Sequence, residues 1–256
     1  MVSIITVVNN KEIYDEWLGP SVAAQEGIDF EMVCIDNTGS EFDSLRKAYN
    51  KGLERAKGDW LMFVHPDVRF MQSDFLRGFI GLAEKKQAED PSIQLFGVAG
   101  VEEKEFRIEN YISRIEHGVP PIMIPDHFNG RDCVTVQTVD ACCFIIRKET
   151  LEKYGFTDKL EGFHLIVEEL CVRMKESGSF CAVLPVKLWH RSSGASLDRR
   201  YFLNAIKLIK MHPGMKYFNT TTMHGNIGLY YKLKLRYYIV RHELTSFHEK
   251  HFKKSS

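Results

Sequence analysis

The residues of this 256-residue chain best suited to chemistry are Asp67, His190, Glu168 and Glu169. Asp67 follows the apolar run Trp60-Leu61-Met62-Phe63-Val64 and the pair His65-Pro66. A carboxylate after such a run stands at the ligand edge of a sheet, where it can hold a divalent cation. It also suits a turn or a helix cap. Mg²⁺ or Mn²⁺ bound there would neutralise the charge that develops on a departing diphosphate, with no proton transferred. His190 follows the strand-like Val186-Lys187-Leu188-Trp189 and precedes Arg191-Ser192-Ser193-Gly194. It can ligate metal or touch phosphate, and imidazole beside carboxylate tilts the choice toward Mn²⁺. A structural histidine also accounts for it. Glu168 and Glu169 open a helical pattern, where unpaired N–H groups favour acids. One of them could instead be a general base that takes a proton from a hydroxyl. Adjacent helical residues do not share a face, so at most one of the two points into a cleft.

These residues need a scaffold that brings them together. Ser3 to Val8 is continuous and β-branched, the pattern of a buried parallel strand. A helical stretch over about 12–25 follows, interrupted by Gly19-Pro20. Phe30 to Ile35 is a second strand, closing in the turn residues Asp36-Asn37-Thr38-Gly39-Ser40. Leu45, Ala48, Tyr49, Leu53 and Ala56 recur at helical spacing. Trp60 to Val64 is the third strand, Phe75 to Ala83 another helix, and Leu95 to Val101 a fourth strand. This alternation predicts an α/β fold with a doubly wound, mostly parallel sheet, whose ligands lie beyond the carboxyl ends of its strands. Asp36 and Asp67 both sit at such ends. Residues 102–132 show little periodicity and read as a long functional loop. Further strands are expected over Val134–Val139, Cys143–Arg147 and Phe180–Leu184, with helices over Glu168–Ser177 and Asp198–Met211.

Composition excludes several classes. Hydrophobic residues make up 44 % and charged residues 27 %, enough for a sizeable core. Lys plus Arg and Asp plus Glu each total 34, so no global field recruits nucleic acid, and no nucleic-acid partner is expected. The six cysteines form no Cys-x-x-Cys pair and read as buried hydrophobes of a reducing compartment. The chain opens directly on a strand, so no signal peptide is expected, and no charge-free apolar window of about 18 residues predicts a membrane span. Asn219-Thr220-Thr221 matches a glycosylation sequon and is taken as chance. From about Gly225, cations (Lys232, Lys234, Arg236, Arg241, Lys250, Lys253, Lys254) outnumber acids (Glu243, Glu249) and interleave with Tyr230, Tyr231, Tyr237, Tyr238 and Phe247. Such a tail either packs on the domain or touches an anionic lipid surface as a peripheral contact.

Val2 to Asn10 resembles the opening strand of family 2 glycosyltransferases of the GT-A fold, and Ile35-Asp36-Asn37-Thr38-Gly39-Ser40 resembles their nucleoside-binding turn. Ala48-Tyr49-Asn50-Lys51-Gly52 through Val64 is similar to the helix and strand before their metal motif. Where most members carry Asp-x-Asp, this chain has His65-Pro66-Asp67. That substitution, with Gly162-Phe163-His164, Trp189-His190-Arg191-Ser192-Ser193-Gly194 and Val139-Asp140 through Arg147, resembles a subgroup related to the streptomycin-biosynthesis glycosyltransferase-like domain. The likeness spans roughly 2–200.

The resemblance implies a GT-A-like domain over 1–211 and a basic, aromatic helical extension over 212–256. It implies an inverting, hexosyltransferase-type activity in polysaccharide synthesis. The donor would be a nucleotide-diphosphate sugar (a UDP-sugar by preference), and the acceptor a glycan or lipid-linked hydroxyl. Asn9, Asp36, Asn37, His65, Asp67 and Asp140 would contact the donor. Asp67 and His190 would hold Mn²⁺ or Mg²⁺, and Glu168 or Glu169 would be the base. Aligned on Leu170, the family's base position falls on Val167, which cannot accept a proton; either the helix start is shifted by one residue, with Glu168 the nearest substitute, or the chain is a catalytically impaired binding module. An oxidoreductase or a nucleotidyltransferase would need a glycine-rich loop after the first strand, and Val8-Asn9-Asn10-Lys11 has no glycine. A cytoplasmic location at the inner membrane face is the matching expectation.

Overall fold

The computed structural model describes residues 1–123, 126–191 and 197–252. Pro125, the Ser192-Ser193-Gly194 segment, Lys253 and Lys254 lie outside the described residues, as do the side chains of Phe247, Glu249 and Lys250.

The first part alternates strands and helices: β1 (Val2–Val8), α1 (Lys11–Glu16), α2 (Leu18–Ala23), β2 (Phe30–Asp36), α3 (Leu45–Arg55), β3 (Trp60–Val64), β4 (Val68–Phe70), α4 (Phe75–Glu89) and β5 (Ile93–Gly97). Short strands follow: β6 (Ala99–Val101), β7 (Tyr111–Ser113), β8 (Glu116–His117), β9 (Ile122–Met123), β10 (Val134–Val136) and β11 (Thr138–Val139), with a 3₁₀ turn at Ile108–Asn110. The last part holds β12 (Cys143–Arg147), α5 (Lys148–Tyr154), α6 (Ile166–Glu176), β13 (Phe180–Val183), β14 (Leu188–His190), α7 (Arg199–Met211), β15 (Tyr217–Asn219), β16 (His224–Asn226) and α8 (Leu229–Phe252).

Among the described residues, seven strands form the central sheet in the order β10-β13-β5-β12-β3-β1-β2. β1 is parallel to β2 and β3, and β13 to β5, whereas β12 is antiparallel to both β3 and β5. Five strands therefore point one way, with β12 and the edge strand β10 reversed. Successive side chains leave opposite faces of a strand. Ile5, Leu61, Phe63, Phe144 and Ile146 thus join α3, α6 and α7 in one core, while Ile4, Met62, Val64, Cys143 and Ile145 join α2 and α4 in the other. Burial on both faces is why these strands read as unbroken apolar runs.

Two expected strands are each divided. Leu95–Val101 splits at Val98 into β5 in the central sheet and β6 in a three-stranded sheet with β11 and β7. Val134–Val139 splits likewise at Gln137 into β10 and β11. The switch depends on close backbone approach. A Cβ on Gly97 would lie 2.7 Å from Cβ of Val139, and one on Gly100 2.5 Å from the Thr138 carbonyl oxygen. The 102–132 segment holds β7, β8, β9 and the 3₁₀ turn and is not one featureless loop.

The chain beyond Met211 is tied into the domain. Gln137 Nε2 donates to Tyr217 O at 2.7 Å, and Asn219 Nδ2 donates to Glu102 O and Lys104 O at 2.9 and 2.8 Å. That amide is the sequon's, and the residue is buried. Tyr231 and Leu235 of α8 complete the larger core.

Candidate active site

The carboxyl end of β3 turns through His65-Pro66-Asp67 into β4, which pairs antiparallel with β14. His190 lies opposite Val68 in that ladder, and Arg191 N donates to Asp67 O at 3.0 Å. The ladder thus places distant parts of the chain side by side. The ligand atoms of His65, Asp67 and His190 all lie within 4.8 Å of one another.

His190 Nε2 is 3.3 Å from Asp67 Oδ1. The contact lacks hydrogen-bond geometry, so this buried nitrogen has no satisfied partner among the described residues. Burial alone would keep His190 neutral, but Asp67 outweighs it and raises the imidazole's pKa. Burial pushes Asp67 upward, yet His190 and then His65 hold its carboxyl below the ordinary range. His65 is lowered, first by burial and then by the charge of His190. Ligand atoms about 2.1 Å from a shared cation sit roughly 3 Å apart when adjacent. The orphaned Nε2 and the 3.3 Å separation therefore fit a divalent ion, with two imidazoles and one carboxylate as donors. Sequence reading assigned His65 to the donor alone; the structure puts it beside both expected metal ligands.

These groups line a cleft of about 1260 Å³ that also includes Asn9, Asn37, Thr38, Asp140, Val167 and Glu168. Asp140 precedes β12, whose reversal brings its amino end to this edge. Its carboxylate accepts from Cys142 N at 2.8 Å and from the Thr221 hydroxyl. Burial opposes ionisation of Asp140, but Thr221, His190 and the Cys142 N–H together lower its pKa.

Helix α6 starts at Ile166, two residues earlier than expected, after Leu165 at φ 67°. A buried leucine in the left-handed region is strained, and here it sets the helix's rotational start. From that start Glu168 lines the cleft. Its Oε2 is buried without a hydrogen-bond partner among the described residues, and burial, with a smaller push from Asp140, moves its pKa up to about 8.

Glu169 does not reach the cleft, which corrects its expected candidacy as base. It is 1 % exposed and accepts two bonds from Arg173, at 2.9 and 3.1 Å. It lines a separate cavity of about 420 Å³ with Arg173 and His212. Asp36 also departs from expectation. It is exposed at the end of β2, where Oδ1 accepts from Thr38 N at 2.9 Å and Thr38 Oγ1 at 2.7 Å, and it is absent from the cleft lining. The adjacent Asn37 is buried, and its amide braces the turn through Phe42.

Sequence reasoning expected 102–132 and the last 60 residues to shape the acceptor pocket but singled out none of the side chains of the far wall. Phe106 stacks on His224, and both line the cleft with Tyr111, Tyr201, Thr221 and Thr222. These residues come from the irregular middle, from α7 and from the β15–β16 hairpin, and no short-range spacing announces their meeting.

The profile of the Glycosyltransferase like family matches residues 3–208. The chain belongs to that family. No curated protein matches this glycosyltransferase-like chain in sequence. Among solved structures it is similar to the mannosyltransferase PcManGT from Pyrobaculum calidifontis, in complex with GDP-Man and Mn²⁺ (TM-score 0.54, 16 % identity, 80 % of this chain and 64 % of that one). It is similar to GalNAc-T7 with UDP, GalNAc and Mn²⁺ (TM-score 0.57, 12 % identity, 82 % and 47 %). It also resembles S. aureus TarS 1–349 in complex with UDP-GlcNAc (TM-score 0.56, 14 % identity, 99 % and 74 %). The family member described here thus has the GT-A fold, and spans less than two thirds of the first two structures' lengths.

Proposed function

We propose that this chain transfers a hexose from a nucleoside diphosphate sugar to a hydroxyl of a glycan or lipid-linked acceptor, with inversion at the anomeric carbon. The observation that carries the proposal is the meeting, in one cleft of a glycosyltransferase-like chain, of an unsatisfied buried carboxylate with a three-residue metal-ligand cluster.

His65, Asp67 and His190 would hold the divalent ion, which when bound supplies positive charge against the leaving diphosphate. Asn9, Asn37 and Thr38, on the β1 and β2 side of the cleft, suit the nucleoside. Asp36 would act through the turn that it braces. Asp140, ionised and oriented by Thr221, suits a sugar hydroxyl. Glu168 takes the acceptor hydroxyl's proton, and that oxygen forms the new bond to the anomeric carbon. The bond from that carbon to the diphosphate oxygen breaks, releasing the nucleoside diphosphate. The solved neighbours were captured with GDP-Man, UDP or UDP-GlcNAc, so both bases belong in a first panel, with a UDP-sugar preferred. His65-Pro66-Asp67 keeps the streptomycin-type subgroup as the finer placement.

The test is calorimetry with UDP and GDP, with and without Mn²⁺, followed by nucleoside diphosphate release from a panel of sugar nucleotides. Metal-dependent nucleotide binding is expected, and Asp67→Ala should weaken it by about 10-fold or more. Nucleotide binding that ignores both Mn²⁺ and Asp67→Ala contradicts the metal role. Val167 at the family's base position favours a second reading, a binding module. Tight donor binding without release, across several acceptors, selects that reading.

A further inference from the structure

Helix α8 carries apolar side chains on two opposite faces. Tyr231 and Leu235 are buried in the larger core, with Tyr238 and Ile239 packed against it. Tyr230, Leu233, Tyr237 and Val240 are exposed at 79, 52, 61 and 51 %, and Leu229 at 76 %. At roughly 100° per residue these exposed residues form one stripe, opposite the Tyr231–Leu235 face. On the same geometry Lys232 and Arg236 run along one side of the stripe, and Lys234 along the other. Glu243, the acid within 229–243, is held by Arg199 at 2.6 and 2.9 Å. The whole chain has equal numbers of cationic and acidic residues, so this excess is local.

We infer that this outward face of α8 docks on a bilayer surface containing anionic lipid. Tyrosine and leucine insert at the headgroup boundary while flanking lysines and arginines meet the lipid phosphates. Among the described residues no helix is long and apolar enough to cross a membrane, so α8 lies along the surface. The three-four-three spacing of the stripe is also that of a coiled-coil seam. A second copy would set Lys234 and Arg236 of one helix beside the same residues of the other, like charge against like. An anionic surface is complementary instead. The inference stands apart from sugar transfer, and its failure would leave that proposal untouched.

The experiment is co-sedimentation of the full chain with vesicles of phosphatidylcholine alone or mixed with phosphatidylglycerol, at low and high salt. Binding is expected only with phosphatidylglycerol, falling as salt rises. The Lys232→Glu, Arg236→Glu double variant should partition at least about 10-fold more weakly. Leu233→Asn with Tyr237→Asn should also lose binding, with an unchanged melting transition, because both positions are exposed. If a variant unfolds, the lipid and salt dependence of the unaltered chain decides. Protein left in the supernatant with phosphatidylglycerol vesicles, or equal binding to both vesicle types, overturns the inference. So does a dimer, seen by analytical ultracentrifugation, that Leu233→Asn dissociates.

Discussion

Glu168 holds a carboxyl that is buried, lacks a hydrogen-bond partner for Oε2 among the described residues, and has its pKa pushed to about 8. As the proposed base it must be ionised. The kcat/KM for sugar transfer is therefore expected to rise with pH and level off above about pH 8, in a pH–rate profile measured at constant metal. Glu168→Gln should lower kcat by about 10²–10⁴-fold. The same substitution should stabilise the fold. Between the unfolded-chain value of about 4.3 and about 8, the folded protein keeps a proton that the unfolded chain releases, so stability falls as pH rises through this window. In thermal melts Glu168→Gln is then more stable near pH 8, by roughly 2–5 kcal/mol, and close to the parent near pH 4. Asp67 and His190 were legible as a pair because each follows an apolar, strand-like run. The choice between Glu168 and Glu169 was not. It depends on where α6 begins to wind, which the left-handed Leu165 sets, and adjacent acids look alike in a pattern of spacings.

The β4–β14 ladder and the β6–β11 pair act as positioning elements. Gly100→Ala would press a methyl group against the Thr138 carbonyl and displace the strand that leads into Asp140. A loss of about 1–3 kcal/mol is expected, read as a lower urea midpoint at unchanged slope. Thr221→Val removes the hydroxyl that donates to Asp140 from the hairpin loop. It should cost about 1.5–3 kcal/mol in the same measurement, and Thr221→Ser should restore most of it. The parallel strands were readable because burial on both faces leaves an unmistakable apolar run, as in β1 and β3. The divisions at Val98 and Gln137 were not, because a strand that changes sheets stays apolar throughout. β12 looked like any other core strand, and its reversed direction has no signature in composition.

For the whole molecule, binding should be visible as stabilisation. With Mn²⁺ present throughout, nucleotide at about a hundredfold its dissociation constant should make unfolding about 2.7 kcal/mol harder than Mn²⁺ alone does, and nucleotide without metal should do little. The three-layered α/β plan was open to sequence reading because helices cover both sheet faces in chain order. The tail was half open to it. Its mixture of cations and aromatics was plain, but the packing of 217–235 against the domain depends on buried amides such as Asn219, which resemble surface residues in a string of letters. That packing matters during synthesis. Thr221, Thr222 and His224 close the cleft opposite β3, yet they leave the ribosome only after every strand of the central sheet. A nascent polypeptide can thus collapse around its sheet while the cleft still lacks a side, which would withhold the proposed activity until translation has passed the hairpin.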